Sequence, residues 1–247
     1  MEINNYKKAT EIIKNAKFIT AFTGAGISVE SGIPTFRGPT GLWSKYDPKI
    51  LDIDFFIEHP DISWKYIKEI FYDYMKNIKP NDAHYCLAWF EKYYPLKGII
   101  TQNIDNLHQK AGSSNVIEFH GTASRLICMN CGKKYPSKDF NLSTLPPLCP
   151  VCGGILKPDF VFFKEPIPKD ALEKSLFLSQ SCDVMIVIGT TGEIMPASEL
   201  PIIAKRNGAK IIEINIEPSN YTNTITDVFL QDKATKVCNK LKEFLSF

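Results

Sequence analysis

No stretch of this 247-residue chain approaches the roughly 18 consecutive apolar residues that a membrane span requires. The opening MEINNYKKATEIIKNAK has no apolar h-region, so no secretory signal is read there. There is no block of Lys or Arg either. The 29 basic and 27 acidic residues are interspersed for a net charge of +2, which argues against a dedicated nucleic-acid binder. Seven cysteines is an odd number with four in two tight pairs, which argues against a disulfide framework. With 44% hydrophobic and 23% charged residues, the expectation is a cytoplasmic globular protein with one full core and a small satellite domain.

Phe18 to Thr23 is a short, β-prone apolar run that stops at Gly24-Ala25-Gly26 and passes into helix-compatible residues. That is the order of a buried strand ending in a phosphate-cradling turn, and it is equally the order of a plain tight turn. The dinucleotide fingerprint lacks its third glycine, since Val29 stands there, and no acidic residue closes a second strand at the expected distance. Gly32-Ile33-Pro34-Thr35-Phe36-Arg37-Gly38 then puts an aromatic ring and a guanidinium on a Gly/Pro-rich loop. Arg37 can pair with phosphate there and Phe36 can cover a ring; an ordinary surface loop is the alternative.

Ala9, Ile12, Ile13 and Ala16 predict an amphipathic helix over 5–16. A short helix is expected at 52–56. From Pro60 a longer one carries Ile67, Ile70, Phe71, Tyr74, Met75 and Ile78 on one broad face, and Asn81 caps another that runs to about Tyr93. Strands are expected at 98–102, 116–119, 160–163, 183–188 and 210–214, with helices over 168–180, 196–206 and 233 to the end. This alternation predicts a doubly wound, Rossmann-like parallel α/β sheet. Ligands in such sheets sit at the carboxyl ends of strands. Gln102, Asn103, Asp105, His120, Gly189-Thr190-Thr191 and Asn215-Ile216-Glu217 all fall at such ends.

Between Leu126 and Cys152 the composition changes. Cys128-Met129-Asn130-Cys131 and Cys149-Pro150-Val151-Cys152 are two CxxC knuckles separated by 17 residues, the spacing of a tetrahedral four-thiolate zinc site. Four protein ligands leave no open coordination position, so the zinc is expected to be structural. The predicted organisation is a nucleotide-binding unit over 1–121 and 158–247 with a zinc ribbon over 122–157 inserted. The helical segment 52–78 is a further candidate for the small unit. Cys86, Cys182 and Cys238 read as small buried hydrophobes.

Taken in chain order, GAGIS (24–28), GIPTFRG (32–38), TQNID (101–105), His120-Gly121, the four cysteines, VFF (161–163) with Glu165, and GTT (189–191) resemble the sirtuins nearly end to end. Sirtuins are NAD-dependent protein lysine deacylases. The resemblance implies that an acyl-lysine carbonyl oxygen attacks C1′ of the nicotinamide ribose and releases nicotinamide. His120 then acts as general base, and free lysine and O-acyl-ADP-ribose leave. Asn103 is implied as its catalytic companion. Gly24, Ala25, Gly26, Thr35, Phe36, Arg37 and Trp43 would meet phosphates and ribose, while Gln102, Asn103, Ile104 and Asp105 would line the nicotinamide pocket. Gly189, Thr190 and Thr191 would meet the diphosphate, and Asn215, Ile216, Glu217 and Ala234 the adenosine.

Several departures from the family bear on substrate choice. Thr35, with Gly41-Leu42-Trp43, resembles the branch that removes acidic acyl groups, and Tyr72 matches that branch's tyrosine. Met75 replaces its arginine, and a thioether cannot hold a carboxylate, so acetyl or longer neutral acyl groups are expected over succinyl. Tyr72, Met75, Val161, Phe162, Phe163 and Glu193 are the implied substrate residues, with acylated-lysine proteins or peptides as partners. Lys164 stands where the family has glycine, and Gly192-Glu193 where it has an apolar pair. A mono-ADP-ribosyltransferase and a non-catalytic NAD-sensing module are the alternatives.

Overall fold

The computed structural model describes residues 2–38, 41–75 and 77–246. Its larger sheet has six parallel strands: β1 (Ile19–Thr23), β2 (Leu96–Thr101), β3 (Val116–Glu118), β7 (Val184–Ile188), β8 (Lys210–Asn215) and β9 (Val228–Gln231). The order is β3-β2-β1-β7-β8-β9. Every residue of β1 and β7 is buried, as a parallel strand covered on both faces requires.

One face carries α1 (Glu2–Asn15), α4 (Asp82–Tyr93) and α8 (Ala234–Leu245), joined by a core that includes Ile13, Leu87, Phe90, Val237 and Leu241. The other carries α6 (Lys169–Ser181) and α7 (Glu199–Arg206), whose Leu178 and Leu200 pack on Phe22 and Val187. Asn81 caps α4 by accepting the Ala83 N–H at 3.0 Å.

A second, three-stranded antiparallel sheet is ordered β5-β4-β6, from β4 (Gly121–Cys128), β5 (Lys134–Pro136) and β6 (Leu156–Phe160). Its core is completed by α2 (Ile53–Glu58) and α3 (Pro60–Ile67), where Phe56, Trp64 and Ile67 join Leu126, Leu156 and Phe160. The buried Trp64 indole N–H donates to the Leu156 carbonyl at 2.8 Å. A short α5 (Leu107–Lys110) follows β2.

Two expected elements differ. The helix predicted from Pro60 to about Ile78 ends at Asp73, and its last part, Lys68–Asp73, is a π-helical turn. The strand expected at 160–163 ends at Phe160. The Phe163 N–H turns instead to the Leu51 carbonyl at 2.8 Å, and the Phe163 carbonyl accepts from Ile53 at 3.3 Å.

Candidate active site

Five neighbouring strand ends converge on one edge of the large sheet. β1 delivers Gly24 to Gly26, β2 delivers Gln102 to Asp105, β3 leads to His120, β7 delivers Gly189 to Thr191, and β8 delivers Asn215 to Glu217. The chain runs outward from β1 to β2 on one side and resumes at β7 on the other. The crevice between β1 and β7 is therefore the switch point at which open α/β sheets take their ligands.

The glycines there allow two turns to touch. The Gly24 N–H donates to Ile188 O at 3.0 Å, and the Gly26 N–H donates to Gly189 O at 2.9 Å. A Cβ on Gly26 would lie 2.6 Å from the Gly189 Cα, and Gly189 itself has φ +63. These two amides thus join the strand ends rather than point into the cleft. What these two glycines supply here is close backbone approach.

Beside this crevice the buried Asn103 amide donates to Gly24 O at 3.1 Å and to Ser28 Oγ at 3.3 Å. Ser28 Oγ in turn donates to Asp105 Oδ2 at 2.7 Å, and the other Asp105 oxygen accepts the Leu107 N–H at 2.9 Å. Burial raises the Asp105 pKa, and these hydrogen bonds oppose the shift. Gln102 reaches across to Thr190 Oγ1 at 3.1 Å, and Asn215 holds the Thr190 carbonyl at 3.0 Å. Ile216 is exposed, and Ala234 is buried as the first residue of α8.

His120 lies one residue past Phe119, which packs edge-on to it at 5.3 Å. Its Nδ1–H donates to the Gln102 carbonyl at 3.2 Å, which fixes the tautomer and leaves the Nε2 lone pair free. Burial lowers its pKa, with the Gln102 contact opposing. A neutral imidazole with one free nitrogen can take a proton.

Two further imidazoles lie beneath this layer, and the motif reading did not assign them. His84 Nε2 approaches Ser28 Oγ at 3.4 Å, and His108 Nε2 approaches Thr23 Oγ1 at 2.9 Å, their rings 4.9 Å apart. Both are fully buried. Thr23 hands its proton to Thr101 Oγ1 at 2.9 Å, so His108 donates from Nε2. Desolvation pushes the His84 pKa down to about 4. Ser28 lies inside GAGIS and His108 three residues past TQNID, but nothing local marks Ser28 as a partner of His84 or His108 as a partner of Thr23.

A narrow apolar pocket opens from Asn103 and Asp105 between Ile33, Phe36, Leu42, Phe71 and Met75. Phe36 packs on Trp43 at 5.7 Å and on Phe71 at 6.4 Å. Met75 lines this pocket. Tyr72 does not: its ring lies on Trp64 at 5.9 Å, and its hydroxyl is buried without a partner. A wider groove runs between Arg37, Trp43, Pro48 and Phe163. Phe163 is half exposed there, whereas Phe162 is core, edge-on to Phe56 at 5.3 Å. Thr35 Oγ1 donates to the Arg37 carbonyl at 2.6 Å. Glu193 is exposed, and the exposed Lys164 ammonium pairs with Asp52 at 2.9 Å and Asp54 at 2.7 Å.

At the far end of the small sheet the four thiols gather. All their Sγ atoms lie within 4.8 Å of one another, with Cys128 to Cys152 at 3.5 Å and Cys131 to Cys149 at 3.8 Å. Sulfurs at the corners of a tetrahedron with Zn–S near 2.3 Å stand about 3.8 Å apart, so the set fits a structural zinc. Gly132 and Gly153, both at φ +71, close matching turns, and the Asn130 and Cys131 amides donate to Cys128 Sγ at 3.4 Å. The Tyr135 hydroxyl lies 3.2 Å from Cys149 Sγ.

A parallel sheet with a glycine-lined switch-point crevice, a tautomer-fixed imidazole facing it and a four-thiolate ribbon define a dinucleotide-dependent enzyme of the α/β class. The Sir2 family model matches residues 24–196, and the chain belongs to that family. It is 44% identical over 237 residues to a NAD-dependent protein deacylase of Pyrobaculum aerophilum, covering 94% of this chain and 93% of that one. A solved Sir2 complex with a deacetylated p53 peptide and 3′-O-acetyl ADP-ribose is 37% identical, with a TM-score of 0.90 and coverage of 96% and 97%. A Sir2 complex with p53 peptide and NAD+ is also 37% identical, with a TM-score of 0.89 and the same coverage. Among the described residues no helix is long and apolar enough to cross a membrane.

Proposed function

We propose that this protein is an NAD-dependent protein lysine deacylase acting on acetyl and longer neutral acyl groups. The observation that carries the reading is His120: a single imidazole faces the cleft with Nδ1–H spent on Gln102 and Nε2 left as acceptor. NAD supplies the ADP-ribose that receives the acyl group. The residues here bind, orient and move a proton. Asn103, held by Gly24 and Ser28, and Asp105, held by Ser28 and Leu107, present fixed polar groups at the mouth of the apolar pocket. Phe36 and Leu42 line that pocket, and the Trp43 N–H donates to the Phe36 carbonyl at 3.0 Å. His120 Nε2 takes the proton from the attacking hydroxyl, and burial keeps it neutral for the task.

The neutral acyl preference follows from the pocket wall. Phe71, Met75 and Ile33 line it, and none offers a charge to a succinyl carboxylate. We take 1–121 and 158–247 as the nucleotide-binding unit and 122–157 as the zinc ribbon, with acyl-lysine peptides crossing beside Val161 and Phe163. Four cysteines as metal ligands and three buried thiols suit a reducing, cytoplasmic setting.

The test is NAD-dependent turnover of one peptide carrying acetyl, decanoyl or succinyl lysine, with nicotinamide as inhibitor. Acetyl and decanoyl turnover with release of O-acyl-ADP-ribose supports the reading, and His120→Ala should bind NAD without turning over. Label from NAD left on protein, or a clear succinyl preference, refutes it.

A further inference from the structure

Lys157 is the most deeply buried cation described in this chain, at 4% exposure. Its ammonium donates to the Pro158 carbonyl at 3.0 Å, the Phe160 carbonyl at 2.7 Å and Glu165 Oε2 at 2.9 Å. It also lies 4.1 Å from the centroid of the Phe162 ring. β6 is an edge strand, so these two carbonyls are met by the lysine rather than by a neighbouring strand. All three donors of the ammonium are used.

Glu165 carries the arrangement onward. The oxygen that accepts from Lys157 also accepts the Phe162 N–H at 2.7 Å, while the Glu165 N–H returns to the Phe162 carbonyl at 3.0 Å. The Val161 N–H meets the carbonyl of His120 at 2.9 Å. One ion pair, buried on its lysine side and partly exposed at Glu165, therefore sets the turn from Val161 to Lys164, with the base on one side and the half-exposed Phe163 beside Trp43 on the other. Lys164 sits in that turn at φ +72, a conformation a non-glycine residue holds only when its surroundings impose it.

We propose that Lys157 is a positioning residue for the acyl-lysine substrate: its ammonium, with Glu165, holds the Val161–Lys164 turn in the shape against which the substrate chain lies. This rests on the deacylase reading, with the substrate crossing beside Val161 and Phe163. Burial drives the lysine pKa down and the neighbouring Glu165 opposes the shift. An apolar replacement leaves two edge carbonyls without a donor and the Glu165 carboxylate with the Phe162 N–H but no countercharge, and the turn relaxes on the peptide side while the β1–β7 crevice is untouched.

The experiment compares Lys157→Met and Lys157→Arg with the zinc-loaded wild type. Steady-state kinetics use an acetyl-lysine peptide, and calorimetry measures NAD affinity. Lys157→Met should raise peptide KM about tenfold and leave NAD affinity within about twofold, with Lys157→Arg recovering most of the loss. An unchanged peptide KM, or NAD and peptide affinity falling together, overturns the proposal. Should Lys157→Met not fold, Glu165→Gln keeps an acceptor for the Phe162 N–H and removes the countercharge. Its peptide KM should rise about threefold with NAD affinity unchanged, and no rise overturns the proposal. A wild-type protein that binds NAD but turns over no acyl peptide would remove the deacylase reading itself, and the proposal with it.

Discussion

Acidification from pH 7 to pH 5 should cost this protein about 2 kcal/mol of folding stability through His84 alone. The side chain is fully buried, with Nδ1 accepting the Asn81 N–H at 3.3 Å and Nε2 turned to Ser28. Its pKa is about 4 in the fold against 6.5 for an exposed imidazole. Between those values the unfolded chain binds a proton that the folded chain refuses, so stability rises with pH across the window and is lost as pH falls through 6.5 toward 4. Integrating the linkage relation gives about 2 kcal/mol between pH 7 and 5, and about 3 kcal/mol once pH passes below both values. His108, whose pKa burial also lowers, adds a loss of the same sign. The measurement is urea unfolding of the zinc-loaded protein at pH 7, 6 and 5, for wild type and His84→Gln. The variant starts less stable at pH 7 because a packed ring is gone, yet its stability should fall by about 2 kcal/mol less on the way to pH 5. Groups away from His84, the zinc thiolates included, cancel in that difference, whereas His108, 4.9 Å away, is itself relieved of part of its shift in the variant. Parallel slopes would refute the assignment of a neutral, proton-refusing His84.

Three other outcomes are expected. Because burial lowers the His120 pKa, its Nε2 stays free below the ordinary imidazole range, so the acid limb of kcat/KM should have its midpoint under pH 6.5; a midpoint above 7 contradicts this. Gly26→Ala places a methyl 2.6 Å from the Gly189 Cα, so the strand-end turns must part and NAD affinity by calorimetry should fall about tenfold or more; unchanged affinity would show that the turns tolerate separation. Tyr135→Phe removes the hydroxyl beside Cys149, and zinc transfer to a coloured chelator should quicken about tenfold; equal rates would show that this hydrogen bond does nothing for the metal.

Much of the architecture can be read from residue order because parallel strands buried on both faces spell uninterrupted apolar runs, as ITAFT and VMIVI do. The cysteine knuckles were legible by spacing alone. Illegibility has physical causes. Val161-Phe162-Phe163 looks like a continuing strand, but Phe162 is drawn into the helical core and the Phe163 peptide bonds to residues some 110 positions away. The four residues of β9 follow a polar loop and pair only with β8, so no local pattern announces them. Tyr72 and Met75 are three apart and would share one face of an α-helix, yet the π-helical turn over Lys68–Asp73 rotates Tyr72 onto Trp64 and leaves Met75 at the pocket. Ser28, His84 and Asp105 meet across separations of 56 and 77 residues, which only the folded chain can bring together.

The placement of His120 has a bearing on how the two sheets are joined. Its ring is moored to Gln102, one residue past β2 of the large sheet, while its own carbonyl accepts the N–H of Val161, one residue past β6 of the small sheet. One residue therefore ties the turn after a strand of the large sheet to the turn after a strand of the small one, and loosening either hydrogen bond would be felt at the imidazole.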